Sequence, residues 1–340
     1  MINFSSENFD GVHPQIMAAL AQANQHFVAS YGNDPFTQAC IQMLKSEIGD
    51  AIDVYFTFNG TGANNFGFSC VTERYQSIFC SDVAHCYVDE STAPETLTGC
   101  RLYPILSVHG KIKFEALRKA IKRKGDVHHP QGGILTLTQP TEYGTVYTLE
   151  ELQNIGAFCR MNGILLHVDG ARFFNAAAAL DASLAELTMH VDLLTLGGTK
   201  MGMMYGEAVI FLNALSNHPF KFMHKRSMQL ASKNRFISAQ FQELLNNRLW
   251  KEIASHTNEL AKFCESEILK IGKIEIAHPV ETNMVFLKMN QKLYKKMQEH
   301  VQFYDWDQEK EEVRLVFSFS HTKKDVNEFV HWLNHFADNI

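Results

Sequence analysis

Short apolar runs of strand length alternate with segments of helical periodicity over the first two thirds of the chain. The runs at residues 164–168 and 193–196 are each followed at once by glycine and polar residues, so we predict two buried parallel strands that end in loops. Further strands are predicted at residues 54–58, 77–80, 102–105, 134–138 and 206–212, the last as an antiparallel return strand. Helices are predicted at residues 11–24, 114–122 and 224–236. This alternation indicates an α/β fold with a mainly parallel sheet.

The pattern changes at about residue 249. Amphipathic helices are predicted at residues 249–271, 291–300 and 324–336, around short strands at 284–287 and 313–317. We therefore predict a large domain, with its N-terminal segment, over residues 1–248 and a small α+β C-terminal domain over residues 249–340. No repeat or low-complexity linker separates the two, so we expect them to pack together.

Composition narrows the class of protein. A chain of 340 residues with 46% hydrophobic content can bury a sizeable core. The net charge of −6, with no concentrated lysine and arginine stripe beyond residues 119–124, argues against a nucleic acid partner. We find no run of eighteen apolar residues and no basic-then-apolar start, so neither a membrane span nor a secretory signal is expected. Seven scattered cysteines without a C-x-x-C motif favour a reduced cytoplasm, and zinc is not expected.

Two residues follow the strands predicted at 164–168 and 193–196. Asp169 and Lys200 lie just past the two strand ends, where open α/β sheets bind their ligands. A carboxylate and an amine in one pocket suggest pyridoxal phosphate, which needs a lysine for covalent attachment and an acid on its ring nitrogen. Taken singly, Asp169 could be only the N-cap of the next helix, and Lys200 could be a solvated surface residue.

A glycine-rich loop follows the strand predicted at residues 54–58. Gly60, Thr61 and Gly62 precede an apolar helix, and backbone N–H groups at a helix N-terminus suit a phosphate. A dinucleotide site is the rival interpretation, because Asp82 lies about twenty residues on, as a ribose-binding acid would. Against this, the third glycine of that fingerprint is replaced by Asn65, and a dinucleotide would leave Lys200 without a role.

The segment HVDGARFFNA followed by GGTK resembles the threonine aldolases, of the low-specificity L-threonine aldolase and phenylserine aldolase branch. The resemblance runs along nearly the whole chain. It implies a pyridoxal-phosphate enzyme of the aspartate-aminotransferase fold (fold type I), with a mainly parallel seven-stranded sheet. It also implies a homodimer or homotetramer with its active site at the subunit interface. The implied reaction is cleavage of L-threonine, L-allo-threonine and related L-β-hydroxy-α-amino acids to glycine and an aldehyde.

The resemblance also implies roles for individual residues. Lys200 would carry the cofactor, Asp169 would keep its ring nitrogen protonated and His85 would stack on its ring. The phosphate would be held by Gly60, Thr61 and Gly62, and across the dimer by Lys233 or, as second choice, Arg235. The remaining contacts would be made to the substrate by Ser6, Tyr31 and Arg314, with Arg172 assisting at the cofactor and the substrate carboxylate. Arg314 stands inside a predicted strand, where its alternative role is an internal salt bridge with a neighbouring glutamate.

This chain departs from the family pattern at three places. In the segment expected to hold the phosphate across the dimer, Lys233 stands where many members have an arginine, and the family's usual glycines are absent. Glu7 and Asn8 follow Ser6 where many members have Asp-Thr, and an N-terminal turn is the plain alternative for this segment. Glu142 stands where many members have a second active-site histidine. Retro-aldol cleavage needs a base for the β-hydroxyl proton. We expect His85 to take this proton and Glu142 to orient the hydroxyl or a water, although Glu142 could itself be the base or a surface glutamate.

Other functions remain open on the sequence alone. Within the same fold, the chain could be a β-eliminating lyase, a racemase or an aminotransferase. From other classes, a nicotinamide-dependent dehydrogenase and a non-catalytic cofactor-binding protein remain.

Overall fold

A computed structural model describes residues 2–215 and 219–337 of the chain. Its strands are β1 (Ile2–Asn3), β2 (Ile52–Thr57), β3 (Gln76–Ser81), β4 (Arg101–Ile105), β5 (Ser107–Val108), β6 (Lys111–Ile112), β7 (Gln131–Thr138), β8 (Leu165–Gly170), β9 (Leu193–Gly197), β10 (Glu207–Leu212), β11 (Met284–Lys288), β12 (Val301–Gln302), β13 (Tyr304–Asp307) and β14 (Glu312–Val316). Its α-helices are α1 (Pro14–Ala23), α2 (Pro35–Ile48), α3 (Gly60–Val71), α4 (His85–Val88), α5 (Ala93–Thr98), α6 (Phe114–Ala120), α7 (Leu149–Asn162), α8 (Phe173–Leu180), α9 (Leu184–Thr188), α10 (Lys221–Arg226), α11 (Arg235–Leu245), α12 (Leu249–Ile271), α13 (Gln291–Gln298) and α14 (Lys323–Ala337).

The large sheet has seven strands in the described part of the chain, in the order β2-β10-β9-β8-β7-β3-β4. Strand β10 runs antiparallel to both of its neighbours, and the remaining pairs are parallel. The predicted strands of this sheet are therefore confirmed, including the antiparallel return, with ends that differ by at most three residues. Their apolar side chains are buried on both faces, as covered parallel strands require.

The connections of the sheet reverse direction between β3 and β7. From β3 the chain goes to β4 at the edge of the sheet. It then passes to β7, on the other side of β3, and from there to β8 and β9 in turn. The loops after β3 and β7 consequently diverge and leave a crevice at the carboxyl ends of the strands. His85 follows β3 and Glu142 follows β7, so the topology brings these two residues together.

The helix predicted at residues 224–236 is wrong. Helix α10 ends at Arg226, and α11 begins only at Arg235. Met228 has a φ of +62°, in the left-handed region that no continuing α-helix adopts. The Ser227 hydroxyl also bonds back to the carbonyl groups of Met223 and His224, which satisfies acceptors at the end of α10. The intervening segment crosses the N-terminus of α3, where the Gln229 side chain accepts from the Phe58 N–H at 3.1 Å.

A second, smaller sheet has the order β11-β14-β13, and α12, α13 and α14 pack around its core. The predicted strands and helices of this region are confirmed, again with small shifts at their ends. The chain's first residues join it, because β1 pairs with β12 and Phe4 is buried in the same core. Helix α12 contributes its beginning to the core of the large sheet and its second half to this core. None of the helices in the described ranges is both long and apolar enough to cross a lipid bilayer.

Candidate active site

A cavity of about 620 Å³ opens at the carboxyl ends of β7, β8 and β9, against the small sheet. Most residues singled out from the sequence line it. These are Ser6, Gly60, Thr61, His85, Glu142, Asp169, Arg172, Lys200 and Arg314. Side chains from both sheets therefore meet in one place, as expected for a ligand site in an open α/β fold.

Lys200 follows β9 through a tight turn made by Gly197, Gly198 and Thr199. A Cβ atom on Gly197 would collide with the backbone of Ala171, and one on Gly198 would collide with Met203, so only glycine fits here. The Lys200 amine has no hydrogen-bond partner among the described residues. Burial, followed by the positive charge of Arg172, lowers its pKa to about 8. The amine is thus unbonded, and the fraction of it that is uncharged near neutral pH is larger than for an ordinary lysine, as a nucleophilic lysine requires.

Asp169 is the second-to-last residue of β8 and is buried beside the lysine turn. Its Oδ2 accepts a hydrogen bond from Asn64 Nδ2 at 2.8 Å, and its Oδ1 accepts from the Ala171 N–H at 3.1 Å. The alternative role as a helix N-cap is wrong, because α8 begins at Phe173 and Arg172 occupies its cap position. The carboxylate is therefore held in the cavity wall, with its charge raising the pKa of Lys200.

Glu90 joins the two sides of this site, and sequence reasoning missed it. Its fully buried carboxylate accepts from His85 Nδ1 at 3.0 Å, from Asn64 Nδ2 at 3.0 Å and from Asn65 Nδ2 at 3.1 Å. Because Glu90 accepts at Nδ1, the Nε2 atom of neutral His85 is left as the acceptor nitrogen. The hydrogen bond of Glu90 raises the pKa of His85 against the opposing effect of burial. Glu90 is the last residue of the stretch AHCYVDE, but its spacing from His85 does not predict this contact.

Glu142 is half-buried beside His85 with its Oε2 atom fully buried, so its interpretation as a surface glutamate is wrong. Its Oε1 atom accepts from the Thr138 hydroxyl at 2.6 Å and from the His85 N–H at 2.9 Å. Its Oε2 atom is buried without a partner among the described residues. Burial raises the pKa of this carboxyl to about 7, so it can hold or release a proton near neutrality.

Arg172 is bound by a carboxylate of its own chain. Glu7 accepts from Arg172 Nε at 2.6 Å and from its terminal nitrogen at 2.8 Å, and Asn283 Nδ2 donates to Glu7 at 2.7 Å. Burial would raise the pKa of Glu7, but the charge and hydrogen bonds of Arg172 outweigh it and lower the pKa to about 2. Ser6 lines the cavity and its hydroxyl also accepts from the Asn8 N–H at 3.2 Å, so the N-terminal turn is real too.

Arg314 has no carboxylate partner in the described chain, so the alternative of an internal salt bridge is wrong. Its guanidinium lies 4.5 Å from the centre of the Trp306 ring and 5.1 Å from that of Tyr304. It donates to the Ser5 carbonyl at 3.3 Å, and its Nε atom is buried with no partner among the described residues. An orphaned guanidinium donor in a cavity calls for an anion, and a carboxylate matches its geometry.

The N-terminus of α3 forms another wall of the cavity. Gly62 donates its N–H to the Asn59 side chain at 2.7 Å, whereas the N–H groups of Gly60 and Thr61 have no acceptor within the described ranges. Unpaired N–H groups and a hydroxyl at a helix N-terminus suit a phosphate. Gly62 itself does not line the cavity, and a Cβ atom there would displace the end of the Gln229 side chain.

Tyr31, Lys233 and Arg235 lie away from this cavity. Tyr31 is exposed beneath Lys225, whose amine is 5.2 Å from the ring centre, and its N–H donates to the Ser232 carbonyl. Lys233 is exposed, and Arg235 donates to the His26 carbonyl at 3.0 Å. Their expected roles across a subunit interface stay predictions.

The dinucleotide interpretation finds no support in this geometry. Asp82 does not line the cavity, and its Oδ1 atom accepts from the N–H and hydroxyl of Ser107 at 3.0 and 2.7 Å. The side chain of Asn65, at the third glycine position, is committed to Glu90 and the Thr61 carbonyl. By contrast, three features of the cavity fit pyridoxal phosphate. The Lys200 amine suits its aldehyde, the Asp169 carboxylate suits its ring nitrogen, and the α3 N-terminus suits its phosphate.

The strand order and the lysine-bearing turn define an α/β protein of the aspartate-aminotransferase fold, fold type I. A solved threonine aldolase from Leishmania major superposes with a TM-score of 0.94 over 99% of this chain and 100% of the other, at 25% identity. The low-specificity L-threonine aldolase of a Pseudomonas species is 39% identical over 291 residues, which are 85% of this chain and 84% of the other. The corresponding protein of Pseudomonas aeruginosa is 38% identical over the same shares.

The sequence model of the beta-eliminating lyase family matches residues 3–292. The chain belongs to this family, and within it to the threonine aldolases.

Proposed function

We propose that the chain is a pyridoxal-phosphate enzyme that cleaves L-threonine, L-allo-threonine and related L-β-hydroxy-α-amino acids to glycine and an aldehyde. Lys200 would hold the cofactor covalently, Asp169 would pair with its ring nitrogen, and the N–H groups of Gly60 and Thr61 would hold its phosphate. When bound, the cofactor supplies the electron sink that makes cleavage of a bond to Cα possible. The names of the Pseudomonas and Leishmania relatives support this assignment of substrate.

The substrate is oriented by its carboxylate. Arg314 offers an Nε atom that is unpaired among the described residues, and its guanidinium lies against the rings of Tyr304 and Trp306. Glu7 engages the Nε atom and one terminal nitrogen of Arg172, so Arg172 assists mainly through its charge and by holding the cavity wall, whereas Arg314 makes the direct contact. A fixed carboxylate restricts the orientation of the substrate. That orientation determines which of the bonds to Cα is placed for cleavage.

The β-hydroxyl proton is taken by His85. Glu90 holds the Nδ1 proton of the imidazole, so the lone pair on Nε2 is the one available to accept. Glu142 lies next to His85 and carries an unpaired oxygen, from which it orients the hydroxyl or a water molecule. Between them, the two side chains provide the proton transfers for which many relatives use two histidines.

The observation that carries this proposal is the unbonded Lys200 amine, with its pKa lowered to about 8, in one cavity with Asp169 and the orphaned Arg314. The remaining features of the protein belong to the proposal as well: a homodimer or homotetramer with Tyr31, Lys233 and Arg235 at a neighbouring active site, a cytoplasmic location, and a division into domains at residues 248 and 249.

An absorption spectrum of the purified protein tests the function. We expect a band near 400–430 nm that borohydride abolishes, with the reduced label on Lys200, and release of glycine and acetaldehyde from L-threonine. Lys200→Ala should lose both, while Lys251→Ala, which removes an exposed lysine bound to Asp181, should retain them. Ammonia and a keto acid in place of glycine would assign the chain to β-elimination, and the absence of any band would refute the cofactor.

A further inference from the structure

Glu207, at the start of β10, is a buried carboxylate in the cavity wall with no part in the function proposed above. Its Oε2 atom accepts from the Gly198 N–H at 2.8 Å, and its Oε1 atom accepts from the Thr199 hydroxyl at 2.8 Å. The Thr199 hydroxyl accepts in turn from the Gly206 N–H at 3.2 Å. One side chain therefore ties β10 to both residues that precede Lys200.

The lysine turn depends on these bonds. Gly197 and Gly198 have no side chains to pack, and the amine of Lys200 has no hydrogen bond in the described parts of the chain. The two bonds to Glu207 therefore act together with the backbone bonds from Met201 and Met203 to the Gly198 carbonyl in holding the lysine's backbone in position. Both acceptor oxygens of Glu207 are used for this purpose, and no other buried carboxylate bonds to this turn among the described residues.

Glu207 and Lys200 also interact through their charges. Burial raises the pKa of Glu207 to about 7, and the hydrogen bonds of Thr199 and Gly198 and the charge of Lys200 oppose that rise. Such coupling is reciprocal, so the ionised carboxylate favours the protonated state of the lysine nitrogen. The other charges that act on Lys200 come from Arg172, Glu7, Asp169 and Arg314 on separate elements, and the charge of Asp169 also raises the pKa of Glu207.

We propose that Glu207 is a positioning residue for Lys200, which fixes the lysine turn by two hydrogen bonds and adds a buried carboxylate to the wall of the cavity that holds the lysine. The inference rests on the proposed function, because it gives Lys200 the cofactor. It adds a residue that acts through the lysine and not on the substrate.

Two variants separate the hydrogen bonds from the charge. In Glu207→Gln, the amide oxygen can accept from Gly198 while the amide nitrogen donates to the Thr199 oxygen, so the turn is retained and the charge is lost. Glu207→Ala removes both. Glu312→Gln is the matched control, since Glu312 is buried on β14 outside the cavity, bound to Lys288 at 2.9 Å and His278 at 3.2 Å.

The measurements are the pH midpoint of the visible absorption band of the holoenzyme and the dissociation constant of pyridoxal phosphate. In Glu207→Gln we expect the midpoint to fall by about one pH unit, because an anion near the lysine nitrogen has been removed, with an unchanged dissociation constant. In Glu207→Ala we expect the dissociation constant to rise about tenfold or more. The Glu312→Gln control should change neither quantity.

An unshifted midpoint in Glu207→Gln would overturn the role of the charge. An unchanged dissociation constant in Glu207→Ala would overturn the role of the hydrogen bonds. Either failure, in a protein whose wild type carries a borohydride-fixed cofactor on Lys200, leaves the proposed function intact. A wild type without that label would instead overturn the function and this inference with it.

Discussion

Replacing Glu142 by glutamine is expected to stabilise the cofactor-free fold at alkaline pH and to change it little under acid conditions. Oε1 of Glu142 already accepts both hydrogen bonds, from Thr138 and from the His85 N–H, whereas Oε2 is buried without a partner in the described chain. An amide can therefore occupy the same position with its oxygen at Oε1 and keep both bonds. The substitution removes the cost of ionising a buried carboxyl, while the amide nitrogen takes the place of the O–H group that the protonated acid carries at Oε2.

The magnitude follows from the pKa. Burial raises the pKa of Glu142 from its ordinary value of 4.5 to about 7. Below pH 4.5 the carboxyl is protonated in the folded and unfolded chains alike, and it costs nothing. As the pH rises, the unfolded chain loses its proton first, so the folded state becomes relatively less stable until the pH exceeds 7. The full cost is about 3 kcal/mol, and at pH 5 it is below about 1 kcal/mol.

Urea unfolding of the cofactor-free protein, followed by tryptophan fluorescence at pH 5 and pH 8 and at one protein concentration, measures this difference. Glu309→Gln is the control, because Glu309 is an exposed glutamate between β13 and β14. We expect Glu142→Gln to gain about 3 kcal/mol at pH 8 and little at pH 5, while Glu309→Gln changes at neither pH. An equal gain at both pH values would show that Glu142 does not titrate with a raised pKa.

The other predictions concern the catalytic cycle. Asp169→Asn should keep the fold but bind the cofactor weakly and lose most of its rate, since half of a buried pair is removed at a cost of ~3–5 kcal/mol; near-normal kinetics would contradict the pairing. Arg314→Ala should raise KM for threonine and lower kcat while leaving cofactor affinity unchanged. His85→Asn should lower kcat by about 10²-fold or more, and Glu142→Gln by less; the reverse ranking at matched cofactor occupancy would make Glu142 the base. In Glu90→Gln the acid limb of the pH–kcat/KM profile should move to lower pH, because Glu90 raises the pKa of His85, which must be neutral to act; an unmoved limb would mean that another group sets it.

The sequence pattern predicted the strands because each is a short apolar run, buried on both faces and bounded by glycine and polar residues. It also predicted that Asp169 and Lys200 lie at the carboxyl ends of β8 and β9, since position at a strand end is a local property. It could not predict the contacts of the site. Glu7 lies 165 positions from Arg172, and Asn64 lies 105 positions from Asp169. Such pairs depend on packing in three dimensions.

The helix predicted at residues 224–236 failed for a related reason. Periodicity records which faces are apolar, but it does not record the left-handed backbone at Met228 that ends α10. Arg314 shows the opposite case. Its place inside a strand was visible in the sequence, whereas the choice between an internal salt bridge and an open anion site needed the positions of Tyr304 and Trp306.

Helix α12 has a consequence for how the protein can be divided. Its first residues, including Leu249, Trp250 and Ile253, complete the core of the large sheet, and its second half completes the other core. A fragment that stopped at residue 248 would leave those places empty, and each side chain lost forfeits about 1.5–3 kcal/mol of burial. The sequence pattern changes at that residue, but the chain cannot be divided there without removing residues from the core of the large sheet. Helix α12 belongs to both cores, so expression, exchange or recombination of either part requires the whole helix.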